Sequence, residues 1–287
     1  MCPMNSRKGF QGAIEIRPDY VSTSPIRHVV FDWDGTLSFI RAGWGEIMQR
    51  QWLAVLPSLP GETESDRSRL IHGEIWRLNG RPSIHQAARL AELIRERGGQ
   101  PRTALEYENE YQERLGEVIE SRCQAARQGL PYPDAWLVPG ARSLLEFLAS
   151  RGVIPHVLSG TQRRFVVAEA RVLGVENYFG PRIYGPSGPD DRTFSKRAAL
   201  DQIKADFGVS PQAFLSFGDG QVEIVETKAL GGTAVALATD ESEFGSGRLD
   251  EAKRGRLMGL GADVCLPDFR DLDGIRSLWF PASHARP

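Results

Sequence analysis

The stretch Val29–Ser38, "VVFDWDGTLS", sets two aspartates, Asp32 and Asp34, two residues apart where an apolar run stops, with Gly35 and Thr36 directly behind them. A short apolar run bounded by a turn signal reads as a strand buried on both faces of a parallel sheet. An Asp-rich turn, with Gly35 at positive φ, is the plain alternative for the residues that end it. Carboxylates this close repel unless a cation or a shared proton relieves them. The stretch therefore asks for partners elsewhere in the chain.

Four more apolar runs read as strands ending in small or acidic residues: "IPHVL" before Ser159, "AFLSF" before Gly218, "TAVALA" before Thr239 and "DVCLP" around Cys265. Pro155 would remove a ladder donor from a central strand, so it is expected among the first residues of its run. Between the runs lie helical patterns. "PGARSLLEFLASRG" carries Leu144, Leu145 and Leu148 and closes on Gly152, and "SKRAALDQIKADFG" repeats the design with Ala199, Ile203 and Phe207. Alternating β and α units of this length predict an α/β fold with a doubly wound parallel sheet, Rossmann-like in its core.

The texture changes between about Phe39 and Asp134, where strand-like alternation gives way to helical segments. "SIHQAARLAELIRERGG" has Ser83 and Gln86 in capping-box spacing, an apolar stripe of Ile84, Ala87, Ala88, Ala91 and Ile94, and Gly98 as a stop. "LPSLPGETES" reads as a turn-rich connector and "QGLPYPDAWLVPG" as the return to the sheet. The predicted organisation is an extension over residues 1–26, loosely ordered or packed on an edge, a core over 27–38 and 136–287, and a helical insertion over 39–135.

The 287 residues are 41% hydrophobic and 25% charged, ordinary for a soluble globular chain. A net charge of -2 offers no positive field to nucleic acid or to an anionic membrane surface. Nowhere do ~18 apolar residues run together, as a membrane span requires. Cys2, Cys123 and Cys265 are odd in number and lack a CxxC, and His28, His72, His85, His156 and His284 show no metal-ligand spacing. These features predict a cytoplasmic protein of small-molecule chemistry, without a disulfide framework or a zinc site.

In an open α/β sheet the ligand site lies beyond the carboxyl ends of the strands. Asp32 and Asp34 follow the first run, Ser159-Gly160-Thr161 the second, and Asp219 and Glu223 a later one. Hard oxygen donors with water left over suit Mg²⁺. One carboxylate can then attack phosphorus while a second, held protonated by its neighbours, gives its proton to the leaving oxygen. The charge spread over the phosphoryl oxygens needs donors and a cation, which Ser159, the Gly160 amide and a lysine would supply.

"DWDGT" resembles motif I of the haloacid dehalogenase superfamily of phosphatases. "HVLSGT" is similar to motif II with Ser159, "FSKRAAL" to the motif III segment with Lys196, and "FGDGQVEI" to motif IV with Asp219 and Glu223. The resemblance spans roughly residues 27–38 and 136–275. It implies Asp32 as nucleophile and Mg²⁺ ligand, Asp34 as general acid/base with its carbonyl on the metal, and Asp219 as a metal ligand. Glu223 stands where the family more often has Asp, which leaves direct or water-mediated ligation open. The helical insertion falls where the family carries a C1-type cap.

That insertion has many arginines and no lysine between Phe39 and Asp134. A phosphonatase of this superfamily needs a cap lysine, and a haloacid dehalogenase proper would not keep Asp34 together with the Asp219 cluster, so both activities are disfavoured. Arg41 and Arg81 are candidates for bidentate substrate contacts, with a solvated arginine as the alternative for each. The expected function is hydrolysis of a small phosphorylated metabolite, a sugar phosphate or a phosphoglycolate-like acid, with neither nucleic acid nor membrane as partner. The alternatives are a phosphomutase with the same motifs and a catalytically silent interaction protein on the same scaffold.

Overall fold

The computed structural model describes residues 14–22, 25–188, 191, 193–243 and 245–281. Its centre is the strand β2 (His28–Phe31), buried at every position. The strands β3 (Ile154–Leu158) and β4 (Ile183–Tyr184) add on one side of it, and β5 (Phe214–Gly218), β6 (Thr233–Leu237) and β7 (Val264–Leu266) on the other. All these pairs are parallel. The short β1 (Glu15–Ile16) closes the far edge antiparallel to β7. The chain thus reverses its direction of winding around β2, and the loops that leave β2, β3 and β5 share one end of the sheet, at the switch point of a doubly wound fold.

Pro155 is the second residue of β3, opposite Val29. The Val157 amide reaches the carbonyl of Arg182 beside β4, so alternate β3 amides face that side, and β4 pairs only with Val157 and Leu158. Proline therefore stands where the neighbouring strand does not yet run, and no ladder bond is lost. Of the extension, Glu15 and Ile16 pair with β7; residues 1–13, 23 and 24, with Cys2, lie outside the described residues, as does His284. Two strands, β1 and β4, were not expected.

The helices α1 (Trp44–Val55), α2 (Glu64–Arg77), α3 (Ile84–Glu96) and α4 (Ala104–Arg127) occupy the segment between β2 and β3. Ile47, Trp52, Ile71, Ile75, Leu90, Ile94, Tyr107 and Leu115 form a core of their own there. Reciprocal capping boxes start α2 at Thr63 and Asp66 and α4 at Thr103 and Glu106, each worth about 1 kcal/mol. The capping box expected at Ser83 and Gln86 does not form. Ser83 has helical dihedrals, its hydroxyl donates to Glu108 Oε1 at 2.7 Å, and Gln86 Nε2 donates to the Ile75 carbonyl at 3.0 Å. Long-range acceptors outcompete the local amides.

Below the insertion, α5 (Ala141–Ser150) buries Leu144, Leu145 and Leu148, and α6 (Arg163–Val172), α7 (Glu176–Phe179) and α11 (Leu272–Trp279) pack on the same face of the sheet. The opposite face carries α8 (Lys196–Phe207), α9 (Gln221–Leu230) and α10 (Glu251–Gly259). Cys123 and Cys265 are buried and free, and His28 and His156 pair side by side within the sheet at 2.9 Å. No helix among the described residues is long and apolar enough to cross a membrane.

Candidate active site

Asp32 leaves β2 with its amide still donating to the Phe217 carbonyl at 2.9 Å, which fixes the carboxylate at the sheet's end. Lys196, the first residue of α8, reaches it from the other side: its ammonium lies 2.8 Å from Asp32 Oδ1 and also bonds Glu223 Oε1 in the first turn of α9. All three side chains are buried. Burial drives the Asp32 pKa well above the usual carboxylate range; Lys196 opposes that rise, while Glu223 and Asp219 add to it. Burial disfavours the Lys196 ammonium, and the two carboxylates more than reverse the effect.

Asp34 Oδ2 accepts from the Thr161 hydroxyl at 2.7 Å, whereas Oδ1 is buried with no hydrogen-bond partner among the described residues. Desolvation raises the Asp34 pKa to about 6 against the pull of Arg41, whose Nε lies 3.8 Å from Oδ1. The carboxyl therefore exchanges a proton near neutrality. Arg41 is buried and tied to Glu169 on α6 by Nε at 2.9 Å and Nη2 at 2.7 Å. The Trp33 indole, fully buried, donates to Glu169 Oε2 at 2.8 Å.

Asp219, in the turn after β5, is buried, and desolvation raises its pKa to about 7 against the pull of Lys253. Lys253 on α10 lies 3.3 Å from Asp219 Oδ2 and 2.8 Å from Glu241 Oε1. Gly35 makes room for this approach. Its φ is +72°, and a Cβ there would lie 2.5 Å from Asp219 Oδ2 and 3.1 Å from Glu241 Oε1.

One cavity of about 60 Å³ joins these groups, lined by Asp32, Asp34, Gly160, Thr161, Lys196 and Asp219 below and by Arg41, Asn79, Arg81, Ser83, Tyr111 and Gln112 above. At ~10–15 Å³ per water, it holds a phosphoryl-sized group and little more. Ser159 is fully buried beneath it and does not line it; its Oγ accepts from the Thr161 amide at 3.0 Å and so shapes the loop. Glu223 also lies behind the lining, its Oε2 buried and unpartnered among the described residues. Arg81 is exposed at the rim, and its guanidinium has no partner among the described residues. Its carbonyl lies 2.8 Å from where a Gly160 Cβ would stand, so the loop after α2 seats directly on the Gly160 turn.

Sequence reasoning missed Lys253, Glu241, Glu169, Tyr111 and Gln112. Thr161 was visible in its stretch but carried no role. Only Thr161 has a local signal, since the others arrive from helices and loops remote from the motifs.

The donor set fits a hard divalent cation. Among the described residues, Asp32, Asp34, Glu169, Asp219, Glu223 and Glu241 find their cationic partners in Lys196, Lys253 and Arg41, so six carboxylates share three cationic side chains. Two buried carboxylate oxygens remain unpartnered beside this excess of negative charge. Among the described residues no three acidic, His or Cys side chains form a ready-made cluster. Lys196 pairs with Asp32 and Glu223, and Lys253 with Asp219 and Glu241.

Residues 26–231 match the model of the haloacid dehalogenase-like hydrolases. Among solved structures, the chain is similar to a predicted phosphoglycolate phosphatase from Haemophilus somnus, with 18% identity over 87% of this chain and 97% of that one and a TM-score of 0.56. A predicted phosphatase from Clostridium acetobutylicum gives 15% identity over 88% and 98% with a TM-score of 0.57. A family hydrolase from Deinococcus radiodurans, crystallised with phosphate and sodium, gives 21% over 91% and 100% with a TM-score of 0.50. No curated protein matches the sequence. The paired aspartates, the buried lysine and the sheet order thus agree with the family match, and the chain belongs to the haloacid dehalogenase-like hydrolases.

Proposed function

We propose that the protein is a Mg²⁺-dependent phosphatase that hydrolyses a small phosphomonoester through an aspartyl-phosphate on Asp32. The observation that carries this reading is the meeting of Asp32, Asp34, Lys196 and Asp219 around one cavity roofed by the helical insertion. The names of the similar proteins from Haemophilus somnus and Clostridium acetobutylicum and the phosphate bound in the Deinococcus structure support it.

Asp32, the Asp34 carbonyl and Asp219 would hold the ion, with Glu223 behind them, and the ion supplies positive charge against the phosphoryl oxygens. An Asp32 carboxylate oxygen attacks phosphorus as the bond to the leaving oxygen breaks, and Asp34 gives that oxygen its proton. With a pKa of about 6, Asp34 is suited to both directions of transfer. It then takes a proton from the water that attacks the aspartyl-phosphate, which frees Asp32 and inorganic phosphate. Lys196 holds Asp32 in place and offsets charge at the reacting centre. The Gly160 and Thr161 turn borders the phosphoryl position, and Arg81 at the rim has its donors free for the substrate. The insertion acts as a cap that opens for a metabolite and closes over it. A small phosphorylated metabolite and a cytoplasmic setting fit this chemistry.

Phosphate release from a panel of metabolite phosphates, with and without Mg²⁺, tests the reading. Metal-dependent release that Asp32→Asn abolishes is the expected result. Full release by Asp32→Asn, or isomerised sugar phosphate without free phosphate, would overturn it.

A further inference from the structure

The chain crosses between core and insertion twice, and the two crossings are joined. The Phe39 amide donates to the Trp136 carbonyl at 2.9 Å, and the Val138 amide to the Leu37 carbonyl at 3.0 Å. Directly beyond, residues 40–43 form a turn in which Ile40 and Ala42 are buried, and no backbone amide among the described residues donates to the Ile40 or the Ala42 carbonyl. Buried carbonyls need a donor from somewhere. Arg122, half-buried on α4, supplies it: its Nη1 lies 2.8 Å from the Ile40 oxygen and 2.6 Å from the Ala42 oxygen, with the Phe39 oxygen at 3.4 Å. The same guanidinium stands 5.5 Å from the centre of the Trp136 ring, so one side chain touches both crossings.

The residue between those two carbonyls is Arg41. From the turn its guanidinium reaches Glu169 Oε1 at 2.7 Å and stands 3.8 Å from Asp34 Oδ1. We infer that Arg122 is a positioning residue for Arg41: by holding the carbonyls on either side of it, Arg122 fixes where the Arg41 guanidinium stands beside Asp34 and ties the acid/base group to α4 of the insertion. Without Arg122 two buried carbonyls lose their donor, and the turn relieves that loss by rotating toward water. Arg41 moves with it, and the charge beside Asp34 is misplaced. The inference rests on the phosphatase reading, in which Asp34 exchanges its proton with the leaving oxygen and then with water.

The test is a double-mutant cycle on Mg²⁺-dependent phosphate release from para-nitrophenyl phosphate or, where that ester is not turned over, from the best substrate of a metabolite panel. It compares Arg41→Met, Arg122→Met and the double variant. Each single variant is expected to lower kcat by about ten-fold, as a displacement of about 1 Å at a reacting group can do, with KM changing little. The double variant should be no slower than Arg41→Met, because Arg122 then has nothing left to position. All the carbonyl contacts come from one nitrogen, so a lysine with its three donors can serve part of them, and Arg122→Lys should fall between the wild type and Arg122→Met. If Arg122→Met fails to fold, Arg122→Lys takes its place in the cycle. A double variant in which the two losses multiply, or an Arg122→Met protein that loses thermal stability but keeps the kcat of the wild type, overturns the inference and leaves the phosphatase reading standing. Absence of Asp32-dependent release from every phosphomonoester overturns both.

Discussion

The ammonium of Lys253 lies 3.3 Å from Asp219 Oδ2, so the acid expected to bind a metal already has a cation of the chain's own beside it. Lys253 reaches there from α10 and is shared with Glu241 at 2.8 Å. Burial works against this ammonium, and Asp219 and Glu241 raise its pKa regardless, so it stays charged through the neutral range.

Replacing Lys253 by Met should therefore have two opposite effects. Without added metal the variant loses stability on the order of 3–5 kcal/mol, because two acids are left with an uncompensated charge. With Mg²⁺ the loss is largely recovered, since the ion no longer competes with a tethered cation. Thermal unfolding at increasing Mg²⁺ reads both: the variant starts lower than the wild type and gains more. A smaller gain than the wild type would show that Lys253 assists binding rather than opposing it.

Glu169 raises the pKa of Asp34, after desolvation and against Arg41, and it also holds the Arg41 guanidinium back. Glu169→Gln keeps an acceptor for the Trp33 indole but removes the charge. Arg41 is then free to turn fully to Asp34 Oδ1, and the Asp34 pKa drops below about 6. The acid limb of the activity profile that reports Asp34 as a base should shift to lower pH, while the limb that needs it as an acid shifts the same way. An unmoved pH profile of kcat would mean that the Arg41–Glu169 pair does not act on Asp34.

How much of this was legible depended on distance along the chain. Residues 28–31, 154–158 and 214–218 announce themselves as strands because each is an apolar run with a polar stop, and Asp32 and Asp219 could be placed by those stops, whereas Lys196 was placed by the likeness of its segment to motif III. β1 and β4 are two residues each, too short for any periodicity to register. Lys253, Glu169 and Glu108 meet their partners only after helices have packed, so no spacing foretells them. Ser83 shows the converse: its spacing to Gln86 suggests a cap, and an acid 25 positions away claims the hydroxyl instead.

Asp32 gives the most direct test of the chemistry. Asp32→Asn keeps the size of the side chain and an acceptor for Lys196 but removes the nucleophilic charge, so turnover should fall by about 10³-fold or more. Incubation of the wild type with substrate and acid quenching should trap phosphate on the protein, and the variant should trap none. Label retained by Asp32→Asn would place the covalent intermediate on another residue.

The carboxylates also predict how stability follows pH. Asp34 and Asp219 have folded-state pKa values of about 6 and about 7, above the ordinary value of 3.8. The folded state then binds more protons than the unfolded state between those limits, so stability falls as pH rises from about 4 to about 7. Each group contributes on the order of a few kcal/mol to that fall. The metal-free protein should thus unfold at a higher temperature near pH 5 than near pH 8. Because a divalent cation favours the ionised carboxylates, Mg²⁺ should raise the unfolding temperature at pH 8 and do little at pH 5. Equal stabilisation at both pH values would mean that the ion binds somewhere other than beside Asp34 and Asp219.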